Sequence, residues 1–161
     1  MSGVIYLSLG SNLGDRQANL EAAIRELEPQ VHALAASAIY ETPPWGYLDQ
    51  PKFLNMALEA QTDLAPLDLL KFLKKLETQL GRRPGEHYGP RVIDIDILLY
   101  DSLILSQPGL EIPHPHLAER AFVLVPLAEI APALRHPALG QTMQQLLEQI
   151  DSQDIQRYAA R

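Results

Sequence analysis

The segment from residue 91 to residue 100 constrains the fold most, because its side chains alternate as they do in a β-strand. Successive side chains of a strand point to opposite faces. One face would therefore carry four aliphatic residues, Ile93, Ile95, Ile97 and Leu99. The other face would carry Asp94 and Asp96, and aspartate is a poor strand former. Two carboxylates about 7 Å apart on a strand suit one or two hard cations, with a solvated strand face as the alternative.

Composition narrows the class of protein. The 161 residues fit one domain, residues 1–161, with a sizeable core. A net charge of −7 argues against a general nucleic-acid binder, and the absence of cysteine excludes disulfides and thiolate metal sites. There is no basic start followed by a cleavable apolar segment, and no apolar run reaches the roughly 20 residues of a membrane span. We therefore expect a cytoplasmic protein that binds no membrane. We also expect a monomer.

The hydrophobic patterns predict six elements in the order β-α-β-β-α-β. The predicted ranges are 4–9, 16–28, 34–42, 53–62, 66–80 and 91–100. Asp15 can cap the first helix, and Gly81 is a stop signal for the second. This order predicts an α+β, ferredoxin-like antiparallel sheet with both helices on one face. A C-terminal extension from residue 108 would add one or two short helices, the last near 142–150.

The face of the sheet opposite the helices would carry polar and aromatic groups. By alternation they are Ser8, Phe53, Asn55, Asp94 and Asp96. An aromatic ring for stacking and an amide for pairing suit a flat heterocycle, although a phenylalanine is more often a core residue. Because the common glycine-rich phosphate motifs are absent, phosphates would need cations and basic side chains. The candidates are Arg82, Arg83, His87, Arg91, His114, His116 and Arg120, each of which could instead be a solvated surface charge.

Seven short motifs resemble those of a known family and occur in the same order along the chain. The most specific is Tyr-Gly-Pro-Arg-Val-Ile-Asp-Ile-Asp-Ile-Leu at residues 88–98. The others lie at residues 10–15, 40–46, 49–51, 53–55, 113–115 and 120–124. With these motifs the chain resembles the 6-hydroxymethyl-7,8-dihydropterin pyrophosphokinases of folate biosynthesis over nearly its whole length. It departs from their pattern at Lys74, at His116 and in the short loop 82–87.

The resemblance implies a reaction and a site. Such enzymes transfer pyrophosphate from ATP to the hydroxymethyl oxygen of the reduced pterin and release AMP. Asp94 and Asp96 would hold two Mg²⁺ ions that bridge the ATP phosphates. The implied pterin contacts are Thr42, Pro43, Pro44, Trp45, Phe53, Asn55, Tyr88 and Phe122. The implied ATP contacts are Glu77, Arg82, Arg91, Ile97, His114 and Arg120, of which Arg82 and Arg91 would be catalytic by stabilising charge during transfer.

Two other functions use similar features. An RNA-recognition domain also presents aromatic residues on an open sheet face, but the net charge and the two acids argue against it. Another magnesium-dependent nucleotide enzyme, such as a sugar-nucleotide transferase with an Asp-x-Asp pair, generally needs a larger domain. We therefore expect small-molecule substrates only, ATP and the pterin, with no nucleic acid.

Overall fold

A mixed sheet-and-helix fold is seen in the structure, a computed structural model that describes residues 2–44, 49–81 and 91–158. Its strands are β1 (Gly3–Ser11), β2 (Val31–Ala36), β3 (Tyr40–Thr42), β4 (Phe53–Thr62), β5 (Asp94–Tyr100), β6 (Leu105–Gln107), β7 (Leu110–Ile112) and β8 (Gln156–Arg157). Its α-helices are α1 (Arg16–Leu27), α2 (Pro66–Gln79), α3 (Ala121–Ile130) and α4 (Met143–Glu148), with a 3₁₀ turn at Leu117–Glu119.

The main sheet has the strand order β5-β1-β4-β3-β8, and β2 also pairs with β4. Every recorded pair of neighbours is antiparallel. The α+β class with an antiparallel sheet is therefore confirmed. β6 and β7 form a separate hairpin that the sequence prediction did not contain.

Helix boundaries follow local signals. Asp15 accepts a hydrogen bond from the backbone N–H of Ala18 and caps α1, as predicted. Pro66 occupies the first turn of α2, where its missing N–H costs nothing. Gly81 follows α2 with φ +117°, a conformation that glycine adopts readily. The helices predicted at 16–28 and 66–80 therefore match α1 and α2 to within a residue.

The strand predicted at 34–42 is wrong in its bounds, because it is divided into β2 and β3. Between them, the Ser37 N–H donates to the carbonyl of Ala57 at 3.0 Å, and the Ser37 hydroxyl accepts from the Ala57 N–H at 2.9 Å. The register also shifts between Ala33 and Ala35. A serine that bonds the partner strand with its side chain interrupts the regular ladder.

Helices α1 and α2 cover one face of the sheet. The nine residues expected there, Ile5, Leu7, Leu9, Leu54, Met56, Leu58, Ile93, Ile95 and Ile97, all lie in one buried cluster. Leu20 and Leu27 of α1 and Leu69, Leu73 and Leu76 of α2 belong to the same cluster. The alternation argument thus assigned these side chains to the correct layer.

Leu99 is an exception, and its predicted placement is wrong. Tyr6 of β1 pairs with Leu99 while Leu7 pairs with Ile97, so Leu98 is an extra residue in β5. This β-bulge reverses the alternation for the rest of the strand. Leu99 consequently packs on the face opposite α1 and α2, and Tyr100 joins their cluster.

The opposite face is open over only part of its length. Tyr6, Ala57 and Leu99 are covered there by a second cluster from the C-terminal helices, whose buried members include Val123, Leu124, Leu127, Met143 and Leu146. The expectation of a bare face is therefore wrong for this half. α4 lies within the predicted 142–150 segment, and its Thr142 forms a capping box with Gln145. Within the described ranges, every helix is too short or too polar to cross a bilayer.

Candidate active site

A row of paired residues joins three strands at the uncovered end of the sheet. Gly10 of β1 pairs with Asn55 of β4 on one side and with Asp94 of β5 on the other. A side chain at position 10 would collide with the amide, since its Cβ would lie 2.6 Å from Asn55 Oδ1. Glycine therefore leaves room for the Asn55 amide, which lies over Gly10, and Asp94 occupies the paired position on the next strand. The predicted first strand ended at residue 9, and Gly10 entered the sequence analysis only within the motif at residues 10–15, so its place in the strand was missed.

One side of the row offers hydrogen-bonding and aromatic groups. The Asn55 amide Nδ2 donates to Thr42 Oγ1 at 2.6 Å, and both side chains are buried. Thr42 pairs in turn with Phe53, which is half-buried at the start of β4. Pro43 and Pro44 follow β3 directly. The structure thus brings together five of the predicted pterin contacts.

Phe122 lies in the first turn of α3, half-buried. The guanidinium carbon of Arg120 lies 5.5 Å from the centre of its ring, within the range of a cation–π contact. Arg120, another predicted site residue, therefore packs against a predicted pterin contact. The remaining pterin candidates, Trp45 and Tyr88, lie outside the described residues, as do Arg82, Arg83 and His87.

The other side of the row carries three carboxylates. Asp94 and Asp96 are half-buried on β5, and Glu77 of α2 is 1 % exposed. Glu77 Oε2 accepts the backbone N–H of Ile95 at 2.6 Å, while Lys74 Nζ lies 3.8 Å from Oε1. β5 is the edge strand beyond β1, and Glu77 therefore fixes its outer edge midway between the two aspartates.

Two of these carboxylates raise the pKa of the third. The pKa of Asp96 rises from 3.8 to about 7, first because burial disfavours its charged form and then because Asp94 and Glu77 repel it. Lys74 and Arg120 oppose that rise. A bound divalent cation would relieve this repulsion, and carboxylate oxygens are the ligands that Mg²⁺ prefers.

The donor set fits a cation that is shared with a substrate. In the described part of the chain, no group of three or more His, Asp or Glu side chains is placed to hold a metal ion. Two aspartates without a third ligand match Mg²⁺ sites in which water and substrate phosphates supply the other oxygens. The residues present therefore fit magnesium as a partner of a phosphate-bearing ligand.

His114 lies beside the carboxylates as a neutral imidazole. Its Nδ1 accepts the backbone N–H of His116 at 3.1 Å, so the ring proton is on Nε2. The pKa of His114 falls to about 4, mainly through burial and then through the charges of Arg120 and His116. An uncharged Nε2–H can donate to a phosphate oxygen without the cost of a buried charge.

A cavity of about 360 Å³ opens next to Asp96 and His114. Its walls come from α2, from β5 with Ile97, and from the β6–β7 hairpin. That volume suits a small organic ligand. Sequence reasoning found Ile97 and His114 but missed the hairpin, which Pro108 and Gly109 could have indicated as a turn between apolar residues.

Asn12 connects three parts of the chain near the site, and sequence reasoning gave it no role. Its side chain is 1 % exposed. Nδ2 donates to Gln50 Oε1 at 2.8 Å and to the Pro51 carbonyl at 2.9 Å, and Oδ1 accepts the Arg91 N–H at 2.7 Å. The Asn12 N–H also donates to the Arg91 carbonyl at 3.0 Å. Asn12 therefore fixes the backbone of Arg91, whose side chain is buried, three residues before β5.

Comparison with known proteins identifies the family. Residues 6–132 match the model of 7,8-dihydro-6-hydroxymethylpterin-pyrophosphokinase. A 2-amino-4-hydroxy-6-hydroxymethyldihydropteridine pyrophosphokinase of Methylorubrum extorquens is 47% identical over 154 residues, covering 94% of this chain and 96% of that protein. The enzyme of the same name from Pseudomonas aeruginosa is 41% identical, and 95% of each chain is covered.

Some similar proteins are much longer than this chain. A folic acid synthesis protein of Dictyostelium discoideum is 47% identical over 88% of this chain, which spans only 22% of that protein. A crystal structure of Plasmodium falciparum HPPK-DHPS superimposes with a TM-score of 0.80 at 18% identity, covering 98% of this chain and 49% of that one. At that identity the superposition supports the fold alone.

Taken together, these findings define a transferase, and among transferases a diphosphokinase. The chain belongs to the 7,8-dihydro-6-hydroxymethylpterin-pyrophosphokinase family, which transfers pyrophosphate to hydroxymethyldihydropterin in folate biosynthesis. The resemblance drawn from the sequence motifs is thereby confirmed.

Proposed function

We propose that the chain uses ATP as the pyrophosphate donor, depends on two Mg²⁺ ions, and releases AMP with the pterin diphosphate. The observation that carries this proposal is the Asn55–Gly10–Asp94 row. It supports the proposal because Asn55, which would pair with a heterocycle, and Asp94, which would hold a cation, occupy paired positions on three adjacent strands. A hydroxymethyl group at the rim of the heterocycle would then face the phosphates held beside the carboxylates.

The pterin would occupy the side of the row formed by β3, β4 and α3. Asn55 would pair with the polar edge of the ring, because its amide is already oriented by Thr42. Phe53 and Phe122 would stack on the two ring faces, a geometry that aromatic pairs favour. Pro43, Pro44, Trp45 and Tyr88 complete the proposed pocket on the strength of the family motifs alone.

ATP would lie between the 360 Å³ cavity and the carboxylates. Ile97 would contact the base or sugar, while His114 Nε2–H, Arg91 and Arg120 would meet phosphate oxygens. Asp94 and Asp96 would hold the magnesium, which when bound would neutralise charge on the phosphates. Glu77 would act by holding the β5 backbone between the two aspartates. Arg82 and Arg91 would stabilise charge during transfer, the role that the family motif implies.

The remaining expectations from the sequence stay proposals. The strand order and the two helices on one face support a ferredoxin-like arrangement in a single domain. The C-terminal extension would then be the part that covers half of the second face. The monomeric state and the cytoplasmic location stay predictions.

Product analysis tests the reaction. With ATP, Mg²⁺ and 6-hydroxymethyl-7,8-dihydropterin, chromatography should show AMP and the pterin diphosphate in equal amounts. ADP as the nucleotide product would contradict pyrophosphoryl transfer. Omitting Mg²⁺ in the presence of a chelator should abolish turnover, and undiminished turnover would refute the metal assignment.

Substitutions separate the two halves of the site. Asp94→Ala or Asp96→Ala should nearly abolish turnover, whereas Asp154→Ala, at an exposed aspartate, should leave it unchanged. Phe53→Ala should weaken pterin binding while circular dichroism shows the fold retained. Wild-type pterin affinity in that variant would count against the stacking role.

A further inference from the structure

Glu129 links the last turn of α3 to the beginning of β3. Its carboxylate accepts the backbone N–H of Ala38 with both oxygens, at 3.2 and 3.1 Å, and Oε1 accepts the Tyr40 hydroxyl at 2.6 Å. The position is not one that favours a negative charge, because the C-terminal end of a helix already carries partial negative charge. These hydrogen bonds account for an acidic side chain at that end of α3.

The segment that Glu129 holds is also fixed from its other side. Ser37 exchanges hydrogen bonds with Ala57 of β4 through both its backbone N–H and its hydroxyl. The start of β3 is therefore held between β4 and α3. β3 is only three residues long and pairs with β4 over its whole length, so this attachment adds a link to α3 two residues before Thr42.

The same attachment connects the two elements that carry opposite walls of the proposed pterin pocket. Thr42 ends β3 and orients the Asn55 amide. Phe122 lies in the first turn of α3, and Glu129 lies in the last turn of that helix. Apolar packing of α3 on the sheet is not directional, whereas a short hydrogen bond to a carboxylate fixes both distance and angle.

We propose that Glu129 is a positioning residue, which acts through Tyr40 and Ala38 to set the spacing between Phe122 and the Thr42–Asn55 wall. The inference rests on the proposed pterin pocket. It states that the width of this pocket is set by the hydrogen bonds of Glu129, which does not itself touch the substrate. The pKa of Tyr40 rises to about 12 through burial and through its bond to Glu129, so the hydroxyl stays a donor at neutral pH.

The chain supplies a matched control for this contact. The Tyr6 hydroxyl donates to Glu59 Oε2 at 2.8 Å, and the pKa of Tyr6 also rises to about 12. That pair joins β1 to β4 within the sheet, and the Tyr6 ring lies in the cluster beneath α3. Tyr6→Phe keeps the ring in that cluster and removes only the hydroxyl, so it deletes a similar tyrosine–glutamate bond that does not join α3 to β3.

Calorimetry with the pterin, in the presence of Mg²⁺ and a non-hydrolysable ATP analogue, tests the proposal. We expect Glu129→Ala to weaken pterin binding on the order of tenfold, since small misplacements of positioning groups have effects of that size or larger. Tyr40→Phe should weaken it by a smaller factor, and Glu129→Gln, which keeps an acceptor oxygen, should restore most of the affinity. Affinity for the ATP analogue should be unchanged in all three, and Tyr6→Phe should alter neither ligand.

The outcomes separate this inference from the proposed function. If the wild-type protein binds no pterin, the proposed function fails and the inference fails with it. If the wild type binds pterin and the Glu129 and Tyr40 variants bind it equally well, the inference alone is overturned, whatever happens to the melting temperature. If Glu129→Ala does not fold, the comparison of Tyr40→Phe with Tyr6→Phe tests the inference. Weaker pterin binding by Tyr40→Phe supports it, and equal binding by the two variants overturns it.

Discussion

Replacing Asp96 by asparagine should stabilise the metal-free protein while it abolishes turnover. Asparagine has nearly the shape of aspartate but carries no charge. In the wild type, the charged form of Asp96 is disfavoured by burial and by the carboxylates of Asp94 and Glu77. The substitution removes that electrostatic cost together with a proposed metal ligand.

The magnitude follows from the pKa of Asp96, which rises from its usual 3.8 to about 7 in the folded protein. A carboxyl whose folded pKa exceeds its unfolded pKa makes folding less favourable as the pH rises through that interval. Each unit of difference corresponds to about 1.4 kcal/mol, so the wild type loses at most about 4 kcal/mol between pH 4 and pH 7. For a chain of this size, that upper limit corresponds to a melting-temperature difference of order 10 °C.

Thermal unfolding followed by circular dichroism, in a metal chelator, provides the assay. The Asp96→Asn variant should melt well above the wild type at pH 8, and the two curves should converge near pH 4. Asp154→Asn, at an exposed aspartate, is the control and should change neither curve. A variant that is no more stable than the wild type at pH 8, or equally more stable at both pH values, would refute the electrostatic argument.

Three further predictions concern other described residues. Asn12→Ala removes the acceptor of the buried Arg91 N–H, so the free energy of unfolding in urea should fall by about 2–4 kcal/mol, and a loss below about 0.5 kcal/mol would contradict this. In an NMR titration the His114 ring should have a pKa near 4, and its neutral form should carry the proton on Nε2. Because this folded pKa lies below the unfolded value of 6.5, the contribution of His114 to stability is complete above pH 6.5 and is lost as the pH falls towards 4. A midpoint near 6.5 would be evidence against burial of the ring. Thr142→Ala should cost about 1 kcal/mol by loss of the α4 cap, whereas Thr142→Ser should be nearly neutral.

The sequence predicts the layers of this fold because alternation is a local property. The side chains at 95 and 97 point where the pattern of β5 predicts, since residues 94–97 pair with β1 without interruption, and Ile93 just before the strand lies in the same cluster. The prediction fails at Leu99 because the bulge at Leu98 depends on how β5 pairs with a strand about 90 residues earlier in the chain. No signal within the strand itself reveals that extra residue.

The residues of the candidate site also fall into two groups, those that a local sequence pattern identifies and those that it does not. Asp94 and Asp96 stand out in the sequence because aspartate is unusual in a strand, and Phe53 and Asn55 stand out by alternation. Gly10 and Asn12 do not, because their importance arises from contacts made across the sheet or with distant loops. Family motifs contain both residues, but a motif alone does not say which atom each side chain meets.

The position of the site follows from what covers the second face of the sheet. α3 and α4 bury Tyr6, Ala57 and Leu99, and beyond them β1, β4 and β5 continue with the Asn55–Gly10–Asp94 row. Several residues at that end are unfavourable for their local structure. They are a glycine within a strand, aspartates on a strand, and a buried Glu77 that helps to raise the pKa of Asp96. Such departures from local preference are expected where binding, and not folding, determines the residue. It follows that substitutions which stabilise this end of the sheet should be those that weaken binding of the phosphates or the pterin.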